Sequence, residues 1–209
     1  VGAAKALGDI GDPRAMDLLF ANVHSFGEMS RTATAALGKF QDPRATDLLA
    51  DLLRDSDPDI RKMAAEALIA QRERAISRMM EGLADSDPDY RGLAAQVLGY
   101  IGEPAVEPLL KALQEPPRAE AVPVVMYALS AIRDERARPA LLAKLRDPDA
   151  EIRANAAWAL GAFCDGQTRA ALKTALRDED ARVRKSAQAA LDRLQAGAAE
   201  QATPQAESD

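Results

Sequence analysis

Apolar residues recur along this chain with the spacing of one helical face, and the whole pattern returns about every 31 residues. The segment "DSDPDIRKMAAEAL" at 55–68 is nearly repeated by "DSDPDYRGLAAQVL" at 85–98, with further copies at 30–40, 146–163 and 177–191. A leucine closes each copy of the pattern, at Leu7, Leu37, Leu68, Leu98, Leu129, Leu160 and Leu191. A fixed period of this size indicates stacked supersecondary units, none of which buries its apolar face alone.

Each unit is predicted to be a pair of antiparallel helices, A and then B. A second apolar half-pattern lies between the leucines, for example "QDPRATDLLADLL" at 41–53. Aspartate followed by proline suits a helix start, because the carboxylate caps free N–H groups and proline fits the first turn. Such pairs occur at Asp12, Asp42, Asp57, Asp87 and Asp147. Gly102 falls where a left-handed closing residue is needed, and Gly38 and Gly161 are expected to let neighbouring helices approach closely.

The sequence "LGDIGDPRAMDLL" at 7–19, together with the recurring "DPDxRxxAAxAL", resembles the short HEAT-like repeats first associated with phycobilin lyases. It is also similar to designed consensus proteins built from such repeats. The resemblance covers roughly residues 1–195 and implies an all-α fold, a right-handed α-solenoid of about six and a half helix pairs with the first one truncated. Such repeats serve mainly as protein-binding scaffolds, with the B helices lining a concave surface. A non-catalytic protein–protein interaction scaffold is therefore the expected function.

Composition agrees with a helical array and narrows the class of partner. The 209 residues are 47% hydrophobic, mainly alanine and leucine, and only 4% aromatic. The formal net charge of −6 is opposite to the usual footprint of a nucleic-acid-binding protein. A nucleic-acid-binding helical-repeat protein stays an alternative, because outward basic residues recur near the N-terminus at Lys5, Arg31, Lys39 and Lys62. No apolar run reaches membrane-spanning length, so we expect no membrane partner.

Few residues could support catalysis or metal binding. The one histidine, His24, lies in a predicted turn, and the one cysteine, Cys164, lies near a predicted helix end. Related HEAT-like proteins that hydroxylate a modified lysine hold two irons with several His–Glu pairs, which this sequence lacks. No phosphate-binding loop or nucleophile elbow occurs. We therefore expect no catalytic residue, no cofactor and no metal, and the single cysteine favours a reducing, cytoplasmic location.

The rotational phase of helix B decides which residues face outward. Positions are counted from the repeated arginine, which is Arg61, Arg91, Arg153 and Arg184 in four copies, with a turn of about 100° per residue. Positions −1, +3, +6 and +7 are consistently apolar and define the packed face, so Tyr90 at −1 is predicted to be core. Positions +1, +2, +5 and +9 fall on the opposite, outward face. The arginines themselves are expected to pair with aspartates in the turns of neighbouring repeats.

Outward positions are apolar or aromatic in the central repeats and polar near the ends. Tyr100, Tyr127 and Trp158 come from three successive units, and tyrosine and tryptophan are frequent binding hot spots. The predicted partner-binding residues are Met63, Leu93, Gln96, Tyr100, Val124, Tyr127, Asn155 and Trp158. The expected partner is a protein or a peptide. An alternative, suggested by the resembled family, is a bilin lyase or chaperone that handles a tetrapyrrole between the same three aromatic rings.

The two ends of the sequence differ in character. Val1 starts within a predicted B helix, so we expect the array to extend upstream and its exposed apolar end to self-associate. Near the other end, Gln188 and Arg193 give the last helix a polar outer face, as a capping repeat requires. Residues 196–209 contain few bulky apolar side chains and are predicted to form a disordered tail. The repeat array is therefore assigned to residues 1–195.

Overall fold

All the regular structure is helical in the part of the chain that the computed structural model describes, which is residues 13–23, 28–40, 42–163 and 165–202. The chain folds into two compact units, Val1–Ala105 and Val106–Asp209. Residues 1–12, which include the predicted truncated repeat and its self-associating end, lie outside the described residues, as do His24 and Cys164.

Three helix pairs make up the described part of the first unit. The helices are α1 (Pro13–Val23), α2 (Glu28–Leu37), α3 (Pro43–Leu52), α4 (Pro58–Gln71), α5 (Glu73–Gly82) and α6 (Pro88–Ile101). Helix α1 packs against α2, α3 against α4, and α5 against α6. Helix α4 also contacts both α2 and α6, so the even-numbered helices form one continuous layer within this unit. A 3₁₀ turn, Glu103–Ala105, follows α6.

The second unit repeats this arrangement with three more pairs. Its helices are α7 (Val106–Gln114), α8 (Val122–Ile132), α9 (Arg138–Lys144), α10 (Ala150–Leu160), α11 (Gly166–Ala175) and α12 (Ala181–Ala202). Short 3₁₀ turns, Ala119–Ala121 and Glu135–Ala137, precede α8 and α9. Helix α10 contacts both α8 and α12. Odd-numbered helices are therefore the predicted A helices and even-numbered ones the B helices, and the α-solenoid class of stacked helix pairs is confirmed.

The predicted packed face of helix B is buried. Ile60, Ala64, Ala67 and Leu68, at positions −1, +3, +6 and +7 of α4, are at most 7% exposed. Tyr90 at position −1 of α6 is 2% exposed, which confirms that it belongs to the core. The rotational phase read from the sequence is therefore correct for α4 and for Tyr90 of α6. Helix α10 departs from it at two positions, since Ala154 at +1 is buried and Ile152 at −1 is half-buried.

Close approach of the B helices depends on the predicted glycines. A Cβ on Gly38 would lie 2.8 Å from the Cβ of Ala67 on the next B helix, and one on Gly161 would lie 3.0 Å from the Cα of Ala190. Both glycines therefore serve the predicted role. Gly102 closes α6 with a φ of +86°, a conformation that suits glycine.

The helix caps confirm three predictions and correct a fourth. The carboxylate of Asp42 caps α3 by accepting a bond of 2.9 Å from the Arg44 N–H. The carboxylates of Asp57 and Asp87 accept backbone N–H bonds from the residue two positions on, at 2.9 and 3.0 Å. The prediction that Asp147 caps the next copy is wrong, since α10 begins at Ala150 and Asp149 is its cap. The repeated arginine explains the error: Asp57, Asp87 and Asp149 all precede it by four residues, whereas Asp147 precedes it by six.

The repeated arginines mostly bind backbone rather than neighbouring carboxylates. The Arg61 guanidinium donates to the carbonyls of Asp55 and Ser56, at 2.7 and 3.0 Å, in the turn before its own helix. Equivalent bonds form at Arg91, Arg153 and Arg184. Both carbonyls belong to the turn that joins α3 to α4 rather than to either helix, and a backbone carbonyl in such a turn needs a donor from outside the helices. Among the described residues, the predicted pairing with the next repeat occurs only at Arg153, whose Nε lies 2.9 Å from Asp178.

The last helix is longer than expected. Helix α12 continues to Ala202, past the predicted end of the array at residue 195. Alanine, glutamine and glutamate, which fill most of this stretch, all have high helix propensity. The disordered tail stays a prediction for residues 203–209, which lie outside the described residues.

Candidate functional site

The predicted partner-binding residues lie on the even-numbered helices of both units, and each is at least partly exposed. Met63 is on α4; Leu93, Gln96 and Tyr100 are on α6; Val124 and Tyr127 are on α8; Asn155 and Trp158 are on α10. The aromatic side chains are the most accessible of them, with exposed fractions of 68% for Tyr100, 41% for Tyr127 and 39% for Trp158. Tyr100 belongs to the first unit and the other two to the second, so each unit presents its own surface.

The first unit has a groove between α4 and α6. Its volume is about 530 Å³, and it is lined by Pro58, Arg61, Lys62, Ala65, Glu66, Ile69, Leu93, Gln96, Val97 and Tyr100. Three of the predicted residues, Leu93, Gln96 and Tyr100, therefore share one depression, while Met63 does not line it. The charges of Lys62 and Glu66 lie 3.9 Å apart and compensate each other. The groove thus offers mainly apolar contact, with Tyr100 as its one aromatic side chain.

The second unit holds a preassembled aromatic pair. The rings of Tyr127 on α8 and Trp158 on α10 are stacked, with centroids 5.8 Å apart and an interplanar angle of 21°, within the range typical of favourable ring pairs. Both rings occupy position +5 of their repeats, and the contact between α8 and α10 brings them together. Val124 is half-buried beside this face. The amide of Asn155 donates to the carbonyl of Glu151, at 2.9 Å, so its N–H capacity is partly used within α10.

Arg193 on α12 joins this aromatic pair. The sequence predicts it only as part of a polar cap. Its guanidinium lies 4.9 Å from the centroid of the Trp158 ring, a cation–π distance. It also donates a hydrogen bond of 2.6 Å to the Trp158 carbonyl. Gly161 makes room for it, because a Cβ there would lie 2.5 Å from the Arg193 Nη2. Only its position in the repeat could have indicated this contact. Arg193 occupies position +9 of its repeat, and that side chain lies against the residue at position +5 of the preceding repeat, Trp158.

A second arginine, Arg133, contributes charge to the same region. It closes α8 with a φ of +59°, and its side chain is exposed. Desolvation, followed by the like charge of Arg133, lowers the pKa of Arg193. Among the described residues, neither arginine has a carboxylate within ion-pair distance. We call Tyr127, Trp158, Arg193 and Arg133 the aromatic–arginine cluster.

The basic stripe considered for nucleic acid is partly neutralised. Arg31 pairs with Asp59 at 2.8 Å, and Lys62 lies 3.9 Å from Glu66. Lys5 lies outside the described residues. Within the described ranges, no group of three or more histidine, cysteine, aspartate or glutamate side chains is placed to hold a metal ion. No helix in those ranges is both long and apolar enough to cross a membrane.

Models of known families match almost the whole chain. The HEAT-repeat model matches residues 21–80, 76–149 and 138–206. This chain belongs to the HEAT-repeat family. The model of the PBS lyase HEAT-like repeat matches residues 1–19 of this HEAT-repeat protein, which agrees with the resemblance seen in the sequence. No curated protein sequence matches it.

Solved structures similar to this HEAT-repeat protein have diverse roles. Human deoxyhypusine hydroxylase is 26% identical over 92% of this chain and 78% of its own, with a TM-score of 0.49. The CpcE–CpcF complex of the phycocyanin lyase from Nostoc is 25% identical over 82% of this chain and 74% of its own, with a TM-score of 0.43. Kap95p, solved with RanGDP, is 15% identical over 90% of this chain and 31% of its own, with a TM-score of 0.55. This last likeness concerns the fold alone.

Proposed function

We propose that this HEAT-repeat protein is a non-catalytic scaffold that binds a protein or peptide on the outward face of its even-numbered helices. One observation carries the proposal: in the described residues, the exposed aromatic side chains are Tyr100, Tyr127 and Trp158, and all three occupy outward positions of B helices. Aromatic residues held on rigid helices suit binding, because little conformational entropy is lost when a partner covers them. A cytoplasmic location stays a prediction from the single cysteine.

Area considerations support a partner larger than a small molecule. A typical stable interface buries about 800 Å² on each partner, and one aromatic side chain offers roughly 150–250 Å² in total. The exposed rings of each unit therefore need the surrounding residues of that unit to complete an interface. Leu93 on α6 of the first unit and Val124 on α8 of the second are both half-buried, and each is suited to extend the contact within its own unit. An extended or helical segment of a partner would cover such a surface along the helix rows.

The experiment that tests this proposal starts from peptides selected on the purified chain from a random displayed library. Each recovered peptide is titrated against the native protein, Tyr100→Ala, and the double variant Tyr127→Ala/Trp158→Ala. A hot spot of about 2 kcal/mol corresponds to a loss of about thirtyfold in affinity, which we expect for at least one of the two sets of substitutions.

The matched control is Leu18→Ala. Leu18 is an apolar residue that is 56% exposed, but it lies on α1, an A helix. Its substitution is expected to leave every Kd unchanged. Unchanged circular dichroism spectra and Tm values would show that the variants are folded. Equal affinities for all four proteins, or losses confined to Leu18→Ala, would reject the outward face of the B helices as the binding surface.

A further inference from the structure

The aromatic–arginine cluster of the second unit combines two kinds of recognition group. The stacked rings of Tyr127 and Trp158 are each about 40% exposed and can contact an apolar side chain. Beside them lies the Arg193 guanidinium, which presents five N–H donors. Within the described residues, the one hydrogen bond of its side chain goes to the Trp158 carbonyl. Most of its donors are therefore available to an acceptor brought by a partner.

Arg193 is held differently from an ion-paired arginine of the same unit. Arg153, in the same unit, is fixed by two hydrogen bonds of 2.9 Å to the carboxylate of Asp178. Arg193 is instead fixed by an aromatic ring and a backbone carbonyl, which leaves its charge without a counter-ion among the described residues. A guanidinium that is positioned but not neutralised is preorganised for a carboxylate, because the cost of ordering it has already been met by the fold.

Arg133 adds a second positive charge at the edge of the same cluster. Its like charge is the second cause, after desolvation, of the lowered pKa of Arg193. Its backbone lies in the left-handed region, with a φ of +59°, where glycine is the usual residue. Gly102 occupies the corresponding closing position of α6, at the end of the preceding B helix.

We propose that the aromatic–arginine cluster binds an acidic peptide segment, in which an aspartate or glutamate stands next to a large apolar side chain. The carboxylate is bound by Arg193, the charge of Arg133 adds to the attraction, and the apolar side chain lies against the exposed parts of the Tyr127 and Trp158 rings. This inference rests on the proposed scaffold function and gives it a partner chemistry. A charge-assisted hydrogen bond contributes more than a neutral one, so the acidic residue sets the specificity while the rings supply contact area.

The test uses peptides selected on the full chain whose binding is lost in Tyr127→Ala/Trp158→Ala. These peptides are expected to be enriched in aspartate and glutamate next to leucine, phenylalanine or tryptophan. Replacing their acidic residues by asparagine and glutamine should weaken binding by about tenfold or more, the worth of a charged hydrogen bond. Arg193→Met keeps a long side chain over Trp158 but removes the charge, so it should lower the affinity for the acidic form to that of the amide form.

The variant Arg133→Gly provides a second measurement that does not depend on replacing Arg193. Glycine adopts a positive φ without strain, so the fold is expected to be preserved and acidic-peptide affinity to fall severalfold. The matched control is Arg72→Gly, since Arg72 closes α4 in the first unit with a φ of +51° and should have no effect on these peptides.

The outcomes separate this inference from the proposed function. Peptides that depend on the rings but bind equally well as acids and amides would overturn the acidic preference and leave the scaffold function standing. Recovery of no peptide would overturn both. Tighter binding of lysine-containing peptides, or of a ten-nucleotide oligothymidylate, than of the acidic peptides would also overturn the inference, the latter in favour of a nucleic-acid partner.

Discussion

The same pair of outward positions, +5 and +9, carries different side-chain chemistry in the two units. In the first unit, Glu66 at position +5 of α4 and Tyr100 at position +9 of α6 line one groove. In the second, Trp158 at +5 of α10 lies under Arg193 at +9 of α12. The carboxylate and the aromatic ring of the first unit are thus replaced by an aromatic ring and a cation in the second. Because the packed positions are apolar in each of these helices, the pair +5 and +9 accounts for the difference between the two surfaces.

The consequence of this exchange is visible in how much of each aromatic ring is exposed. Tyr100 has no ring partner among the described residues and is 68% exposed, whereas Trp158, stacked on Tyr127 and covered by Arg193, is 39% exposed. The first unit therefore offers an open groove with a single aromatic anchor. The second offers a rigid cluster whose members already hold one another, so fewer rotamers are lost when a partner binds.

Helix α6 carries one packed and one outward tyrosine. It therefore tests whether packed residues stabilise the fold while outward residues are free to contact a partner. Tyr90→Ala should lower the free energy of unfolding by about 3–5 kcal/mol, as for other buried aromatic residues, because Tyr90 is 2% exposed. Tyr100→Ala should change it by no more than about 0.5 kcal/mol, as exposed substitutions do. Urea unfolding followed by circular dichroism measures both. A large destabilisation by Tyr100→Ala would mean that Tyr100 belongs to the core.

Tyr90→Phe is the control for this experiment. The Tyr90 hydroxyl is buried and finds no hydrogen-bond partner in the described residues, and such a group costs about 1–3 kcal/mol. Removing it while the ring is kept should leave stability unchanged or higher. Loss of stability in Tyr90→Phe would show that the hydroxyl has a partner, so that the Tyr90→Ala result would report more than packing.

Much of this division between packed and outward residues could be predicted from the sequence, because a period of about 100° per residue separates them. That is why Tyr90 was placed in the core and Tyr100 outside. The contact between Trp158 and Arg193 could not be predicted, since it depends on how far each B helix is shifted along its neighbour. The sequence identifies both residues as outward, but only the packing shows that +9 reaches the preceding +5.

One further prediction failed, and another was confirmed only at Arg153; both outcomes have local reasons. Asp147 is followed by proline, as Asp57 is, so the same dipeptide suggested the same cap. In the structure the cap is set by its distance from the repeated arginine, and Asp149 takes that place. The repeated arginine is predicted to bind carboxylates, because aspartates and glutamates can be identified in a sequence. Arg61 instead binds backbone carbonyls of the turn. Every residue has such a carbonyl, so no sequence pattern marks the ones that accept.

Substitutions at Gly38 and Gly161 distinguish an effect on stability from an effect on the aromatic–arginine cluster. Gly38→Ala and Gly161→Ala each place a Cβ at 3.0 Å or less from an atom of the neighbouring B helix, so each should destabilise the protein by about 1–3 kcal/mol. Only Gly161→Ala should also displace Arg193, because its Cβ would lie 2.5 Å from the Arg193 Nη2. The emission of the single tryptophan, Trp158, should therefore shift in Gly161→Ala and not in Gly38→Ala. An identical spectrum in both variants would argue against the contact between Arg193 and Trp158.

The second unit should also show the stronger acid response in its carboxylates. Hydrogen bonds from the Arg136 side chain and backbone lower the pKa of Asp134 from 3.8 to about 2, and Arg182 acts in the same way on Asp180. Since the folded-state pKa is depressed, each pair contributes stability above about pH 4 that is lost as the pH falls towards 2. NMR titration of the Asp134 carboxyl carbon should give a value near 2. In Arg136→Gln it should return towards 3.8, and an unchanged value in that variant would exclude Arg136 as the cause.

The smallest effect is expected when a bilin is added to the protein. Binding of a bilin would contradict the contrast drawn between the two units, because the second unit would then present a small-molecule site. Pockets for such ligands usually enclose 70–90% or more of the ligand surface. The Tyr127 and Trp158 rings instead lie on an open helix face, about 40% exposed, and Arg193 already covers part of the indole. Adding biliverdin at micromolar concentration should therefore quench Trp158 no more than it quenches free N-acetyltryptophanamide, the control for absorption of light by the pigment. Saturable quenching that Tyr127→Ala abolishes would favour a tetrapyrrole over a peptide, because only a ligand seated on the ring pair would depend on both Trp158 and Tyr127.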